Sequence, residues 1–189
     1  MKIRLLKFKS VKSTNNVALR LIKKKNLAPV IIISERQTEG RGTMGKKWVS
    51  KKGNLFFSIL FEINDKKINF RHYAILNAYL LKGIISKEIS KKIKIKWPND
   101  LLYNKNKICG ILQEVVNYNG KKFLVVGAGI NTNFSPPKKG FLSTSLKDIA
   151  NKNIDNIKLI NKIKNVYENF LTKVKRHSYS EIIKNISNI

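Results

Sequence analysis

The sequence predicts an α/β layer fold, a mixed, largely antiparallel sheet with helices packed on it. Three observations carry that expectation. Strand-like segments crowd the middle of the chain, where residues 108–116 and 123–126 flank Tyr118-Asn119-Gly120, a hairpin signal. Amphipathic helical faces lie before, between and after those strands. No internal repeat divides the chain, and 189 residues with 42% hydrophobic content suffice for one core.

Taken in order, residues 3–8 alternate apolar and basic side chains, the pattern of a half-exposed strand. Ser13, Thr14 and Asn15 can cap a helix whose apolar face is Val17, Ala18, Leu21 and Ile22. Pro29 opens a strand through Val30, Ile31, Ile32 and Ile33, which reads as buried on both faces. Residues 55–63 form another strand. Phe70, Tyr73, Ala74, Asn77, Leu80, Leu81 and Ile84 fall on one helical face. Residues 93–97 alternate as a strand. Residues 131–140 read as loop, marked by Pro136-Pro137, residues 157–174 as an amphipathic helix, and a short helix ends the chain.

The formal net charge is +28, from 39 Lys+Arg against 11 Asp+Glu. Such a charge suits nucleic acid. Lysine, asparagine and isoleucine are abundant throughout, however, as an A+T-rich genome would produce. The cations are scattered, and no helix-turn-helix, zinc finger or aromatic-and-basic RNA motif accompanies them. The expectation is therefore no specific DNA partner, with a general attraction for acidic ones. No apolar run approaches the roughly 20 residues of a membrane helix, and the first residues lack the apolar stretch of a secretion signal. One cysteine cannot form an internal disulfide, so the expected setting is cytoplasmic, without a membrane. Cys109 reads as a core thiol, and His72 and His177 lie in no metal-binding pattern.

Two stretches concentrate the chemistry. Gln37-Thr-Glu-Gly-Arg-Gly-Thr-Met-Gly-Lys-Lys-Trp48 is glycine-punctuated and cationic, able to wrap a phosphate or carboxylate with backbone N–H groups and basic side chains. Lys96-Trp-Pro-Asn-Asp100 is followed by Lys107-Ile-Cys-Gly-Ile-Leu112, which sets a lysine at the start of a buried strand. Together they read as a site that activates a carboxylate with a nucleotide.

These residues resemble the catalytic domain of the biotin protein ligases. The match runs from Ser13-Thr-Asn15 through Gly40-Arg-Gly42, Lys96-Trp-Pro-Asn-Asp100, Lys107-x-x-Gly-Ile-Leu112 and Gly127-Ala-Gly-Ile-Asn131 to Thr144-Ser-Leu146. It implies the fold shared with lipoate ligases and class II synthetase cores. It implies an enzyme that forms biotinyl-5′-adenylate from biotin and ATP with magnesium, then transfers biotin to one lysine of a biotin carboxyl carrier protein. Residues 1–189 would form a single catalytic domain, with no DNA-binding domain before it and no small β-barrel domain after it.

The resemblance also assigns roles. Ser13, Thr14, Asn15 and Gln37 would meet biotin's polar ring, although Ser13 or Thr14 equally suits a plain helix cap. Arg41, between Gly40 and Gly42, would bridge carboxylate and α-phosphate with its fork of donors, and the glycines let the backbone come close. Without the resemblance, the same loop reads as a surface hairpin with solvated cations. Lys107 would stabilise charge developing between carboxylate and α-phosphate, with Gly110 leaving room for the ligand. As a bare lysine, it could simply end a strand in solvent. Lys46 would face phosphate and Trp48 would stack on adenine, or serve as core. Asn99 and Asp100 would orient substrate, metal or the incoming lysine; Asp100 also suits a turn cap. Gly127, Gly129 and Asn131 follow a strand and would line the adenylate, or merely turn the chain. The set contains no protein metal cluster. Thr43 departs from relatives that carry a second arginine there, which implies a less tightly held adenylate. Three rivals are a lipoate or octanoate ligase of the same superfamily, a basic nucleic-acid-binding protein, and a decayed, inactive relative.

Overall fold

Four neighbouring apolar residues, Val30, Ile31, Ile32 and Ile33, set the centre of one half of the sheet. β-branched side chains suit a pleated buried surface, and all five residues of this strand are buried. The structure is a computed structural model that describes residues 1–25, 29–63, 68–136 and 142–187. Its strands are β1 (Arg4–Phe8), β2 (Val30–Ser34), β3 (Leu55–Ile63), β4 (Lys94–Lys96), β5 (Asp100–Tyr103), β6 (Asn106–Tyr118) and β7 (Lys121–Ile130). They form one seven-stranded sheet in the order β1-β2-β3-β7-β6-β5-β4. Only β1 and β2 run parallel; every other neighbouring pair is antiparallel. The mixed, largely antiparallel sheet is the expected one.

Helices α1 (Thr14–Lys23), α2 (Phe70–Ile89), α3 (Leu146–Ala150), α4 (Asn156–Arg176) and α5 (Tyr179–Ser187) cover it. Side chains alternate across a strand, so each strand serves both faces. One face carries α2 to α5 and the larger core, where Ile31, Phe57, Ile59, Leu124 and Val126 meet Leu81, Ile85, Ile160 and Tyr167. The other face carries α1 alone, on Val30, Ile32, Leu60, Phe123 and Val125.

That second face is where a site can form. Along β7 it reads Phe123, Val125, Gly127, Gly129. The apolar half lies under α1. Past Val125, β7 presents only glycine backbone to this face. On β6 the facing partners are Leu112 opposite Gly127 and Gly110 opposite Gly129.

Three sequence expectations change. Residues 106–118 and 121–130 form longer strands than their apolar cores suggested. Gly127 and Gly129 therefore lie within β7, not in a turn after it, because β3 and β6 pair with them from both sides. The motif around Pro98 also contributes a strand: the chain turns between β4 and β5 through the cis Trp97–Pro98 peptide. The helix α3 was not anticipated; Ser145 caps it, its Oγ accepting from Asp148 N–H at 3.1 Å. Of the loop expected over residues 131–140, positions 137–140 lie outside the described residues.

Candidate active site

The glycine floor, the start of α1 and residues 37–50 enclose a cleft of about 90 Å³. Four cations line it, Arg41, Lys46, Lys47 and Lys107, and no carboxylate is among the described lining residues. An opening so charged favours an anion.

At one end sits a set of amides and hydroxyls. Ser13 is the N-cap of α1 by backbone geometry, but its side chain makes no capping bond. The first N–H of the helix instead donates to Gln37 Oε1 at 2.7 Å, so a distant amide caps α1 and Ser13 is left on the cleft. Thr14 Oγ1 donates to the same Gln37 oxygen at 3.1 Å. Gln37 Nε2 donates to Ser50 Oγ at 2.9 Å, and Ser50 Oγ to the Trp48 carbonyl at 3.1 Å. Ser58 Oγ donates to Asn15 Oδ1 at 2.5 Å, and Asn15 Nδ2 donates to Glu114 Oε2 at 2.6 Å. A Cβ at Gly127 would collide with the Asn15 amide, so that glycine gives Asn15 its seat on β7. Buried polar groups that are satisfied in this way hold a fixed arrangement.

At the other end the cationic loop folds onto the glycines. The Trp48 ring lies over Gly110 and Gly129, where added methyl groups would strike it. Its Nε1–H is buried without an acceptor among the described residues. Lys107 Nζ stands 5.3 Å from the centroid of that ring and 2.6 Å from Asp100 Oδ1. Their side chains are only 18% and 19% exposed. Within the loop, residues Thr43–Gly45 make a single 3₁₀ turn, with Met44 and Gly45 at positive φ. Gly42 N–H donates to Lys46 O at 2.7 Å, and the tight spot is Gly40, where a Cβ would run into the Trp48 carbonyl.

Most residues anticipated from sequence therefore converge. Ser13, Thr14, Asn15, Gln37, Arg41, Gly42, Lys46, Trp48, Asn99, Lys107, Gly110 and Gly127 all line the cleft. Three do not. Gly40 shapes the loop beside it. Asp100 reaches the cleft only through Lys107. Asn131 is 1% exposed, its Nδ2 donating to the carbonyls of Lys107 and Thr144 at 3.3 Å each, so it braces the strand that bears Lys107. Burial pushes the Cys109 thiol well up, which keeps it protonated and agrees with a core role. Reading the chain alone missed Glu114, Asn16, Ser50 and Ser58. Glu114 and Ser58 are polar residues within apolar strands, Asn16 lies in the first turn of α1, and Ser50 lies in a polar loop with no signal of its own.

Fold and cleft together define an α/β domain with a cation-lined cleft on one face of a mixed sheet. It belongs to the biotin/lipoate A/B protein ligase family, whose profile matches residues 7–131. It is 27% identical to the bifunctional ligase/repressor BirA of Bacillus subtilis over 176 residues, 90% of this chain and 54% of that protein. The chain spans about half the length of the curated relatives it matches. A solved biotin protein ligase from Aquifex aeolicus, in complex with biotin and ATP, superposes with a TM-score of 0.79 at 30% identity, covering 97% of this chain and 76% of that one. LipL1 of P. falciparum, in complex with lipoate, matches with a TM-score of 0.55 at 17% identity, over 87% of this chain and 63% of that one, a likeness of fold.

Proposed function

We propose that this protein is an ATP-dependent biotin protein ligase. The observation that carries the reading is the cleft itself: four lining cations with no carboxylate among the described lining residues, an amide and hydroxyl cluster at the start of α1, and a glycine backbone floor on β7. Biotin offers matching chemistry, a neutral polar ring and a carboxylate joined by an apolar chain. The ring would lie towards Ser13, Thr14, Asn15 and Gln37, and the chain over Gly110 and Gly127. The carboxylate would meet Arg41 and Lys107.

In the first step a carboxylate oxygen attacks the α-phosphorus of ATP. A P–O bond forms, the bridging P–O bond to the β-phosphate breaks, and pyrophosphate leaves with the electron pair. Like charges must approach, and Arg41 and Lys107 offset that repulsion where charge develops. Asp100 keeps the Lys107 ammonium in place between turnovers. Lys46 faces the phosphates and Trp48 serves the adenine by stacking. Asn99, whose Nδ2 donates to Ile111 O at 3.2 Å, holds the edge of the cleft. Magnesium is commonly held by one or two carboxylates plus substrate phosphates. The described residues gather no set of three His, Cys, Asp or Glu, so the ion would ride on the nucleotide's own phosphates. It would neutralise phosphate charge.

In the second step the neutral amine of a carrier lysine attacks the acyl carbon. A C–N bond forms, AMP leaves, and the amine's proton passes to solvent. The partner is a biotin carboxyl carrier protein, and the net charge of +28 would draw an acidic one. Among the described residues no helix is long and apolar enough to cross a membrane. A cytoplasmic site, where ATP is available, belongs to the same reading. A lipoate ligase would have less use for the polar cluster at the far end of the cleft.

Mass spectrometry of a carrier domain incubated with the protein, ATP, magnesium and biotin tests the proposal. One added biotinyl group is expected. Addition of a lipoyl group instead, or of nothing, would sink it.

A further inference from the structure

We infer that Glu114 is a positioning residue: it grips one edge of the Arg41 guanidinium so that the adjacent edge is presented to the ligand carboxylate. The inference rests on the biotin reading above and deepens it. Arg41 sits on a glycine-rich loop, where a long side chain would otherwise swing in solvent. Glu114 sits on β6, opposite Val125 of β7. Its Oε1 lies 2.7 Å from Arg41 Nη2, and its Oε2 accepts from Nη1 at 3.1 Å. Nη1 also donates to Asn16 Oδ1 at 3.0 Å. A guanidinium has five N–H donors. Three are taken, both on Nη1 and one on Nη2. The remaining two, on Nε and Nη2, lie side by side and match a second carboxylate.

The same Glu114 carboxylate accepts from Asn15 Nδ2 at 2.6 Å. That bond fixes which way the amide points and turns Asn15 Oδ1 to Ser58. One acid thus fixes both the Arg41 cation and the Asn15 amide relative to β6. Glu114 is not among the residues lining the cleft, so it acts through Arg41 and Asn15 and does not touch the ligand.

The test separates positioning of Arg41 from general support of the fold. Calorimetry would measure binding of biotin and of biotinamide, its neutral carboxamide, to the full chain and to Glu114→Gln. The glutamine keeps the shape but sets an NH2 against donors that need an acceptor. Displacing a group by an ångström can cost on the order of 100-fold. Glu114→Gln is expected to weaken biotin about 10- to 100-fold more than it weakens biotinamide, which has no charge for Arg41 to recognise. In an Arg41→Ala background the same substitution should leave the biotin-to-biotinamide ratio unchanged. If Glu114→Gln does not fold, Asn16→Ala loosens the same Nη1 and should lower the ratio in the same direction by a smaller factor. A ratio that Glu114→Gln leaves at the wild-type value, or tighter biotin binding, would overturn the inference while the biotin reading stands. Wild-type protein that binds neither compound would overturn both.

Discussion

The Lys107 ammonium and the Asp100 carboxylate meet at 2.6 Å across the ladder between β5 and β6. A shift in strand register between Leu101 and Leu102 pairs Asp100 with Gly110 and Leu102 with Lys107. The pair is largely shielded, which makes the lysine a fixed charge at the cleft rather than a solvated one.

Replacing Lys107 by alanine should therefore cut biotin-dependent pyrophosphate exchange by about 100- to 1000-fold, the usual cost of one preorganised electrostatic group. Asp100→Asn leaves the ammonium present but untethered, so a smaller loss is expected. Exchange rates on both variants, with circular dichroism to check the fold, decide the matter. An alanine variant within a few-fold of wild type would remove Lys107 from the reaction.

Trp48 fills space that a ligand needs. Ligand pockets commonly hold roughly 300–1,000 Å³, whereas this cleft holds about 90 Å³ with the indole folded in and its N–H unsatisfied. Entry of biotin and nucleotide should displace the ring and reorder the loop around it. Cleavage by trypsin at Arg41, Lys46 or Lys47 should slow when both ligands are added, and Trp48 fluorescence should shift. Equal cleavage rates with and without ligands would count against a loop that closes on them.

Thr43 lines the cleft where a second arginine would add charge-assisted hydrogen bonding, worth roughly 1.5–3 kcal/mol in favourable cases. A neutral hydroxyl holds a mixed anhydride less firmly, and the flexible Lys46 cannot copy a planar fork. Thr43→Arg should release preformed biotinyl-adenylate more slowly than wild type and label fewer lysines on bystander proteins. Equal release rates would show that retention is set elsewhere.

Asp155 caps α4, its Oδ1 accepting from Ile157 N–H at 2.9 Å and Lys158 N–H at 3.0 Å. The Lys158 bond above all, with the Ile157 bond behind it, holds the carboxyl below the usual range. A depressed carboxyl stabilises the fold above its unfolded pKa of about 3.9 and loses that contribution as pH falls through the lower folded value. Asp155→Ala should melt earlier than wild type at neutral pH, and the gap should close below about pH 4. A gap that stays constant down to acid pH would show that the cap bonds do not depend on the carboxylate's charge.

Much of the site was legible in the chain because its signals are local. Alternation marked the strands, a polar cluster marked the start of α1, and Gly40-Arg-Gly42 and Lys107 announced charge beside flexible backbone. What could not be read is whatever depends on strands far apart in sequence becoming neighbours. Gly127 and Gly129 look like a turn one residue at a time, yet they are sheet floor because β3 and β6 supply their hydrogen bonds. Asn131 looks like a ligand group, yet the fold buries it behind Lys107. Glu114 looks like an ordinary solvated acid in a strand. Only the register of β6, which brings it to an arginine 73 residues away in the chain, turns it into the anchor of the loop. Register is set by hydrogen bonding and packing summed over the whole sheet, and no window of local sequence contains that sum.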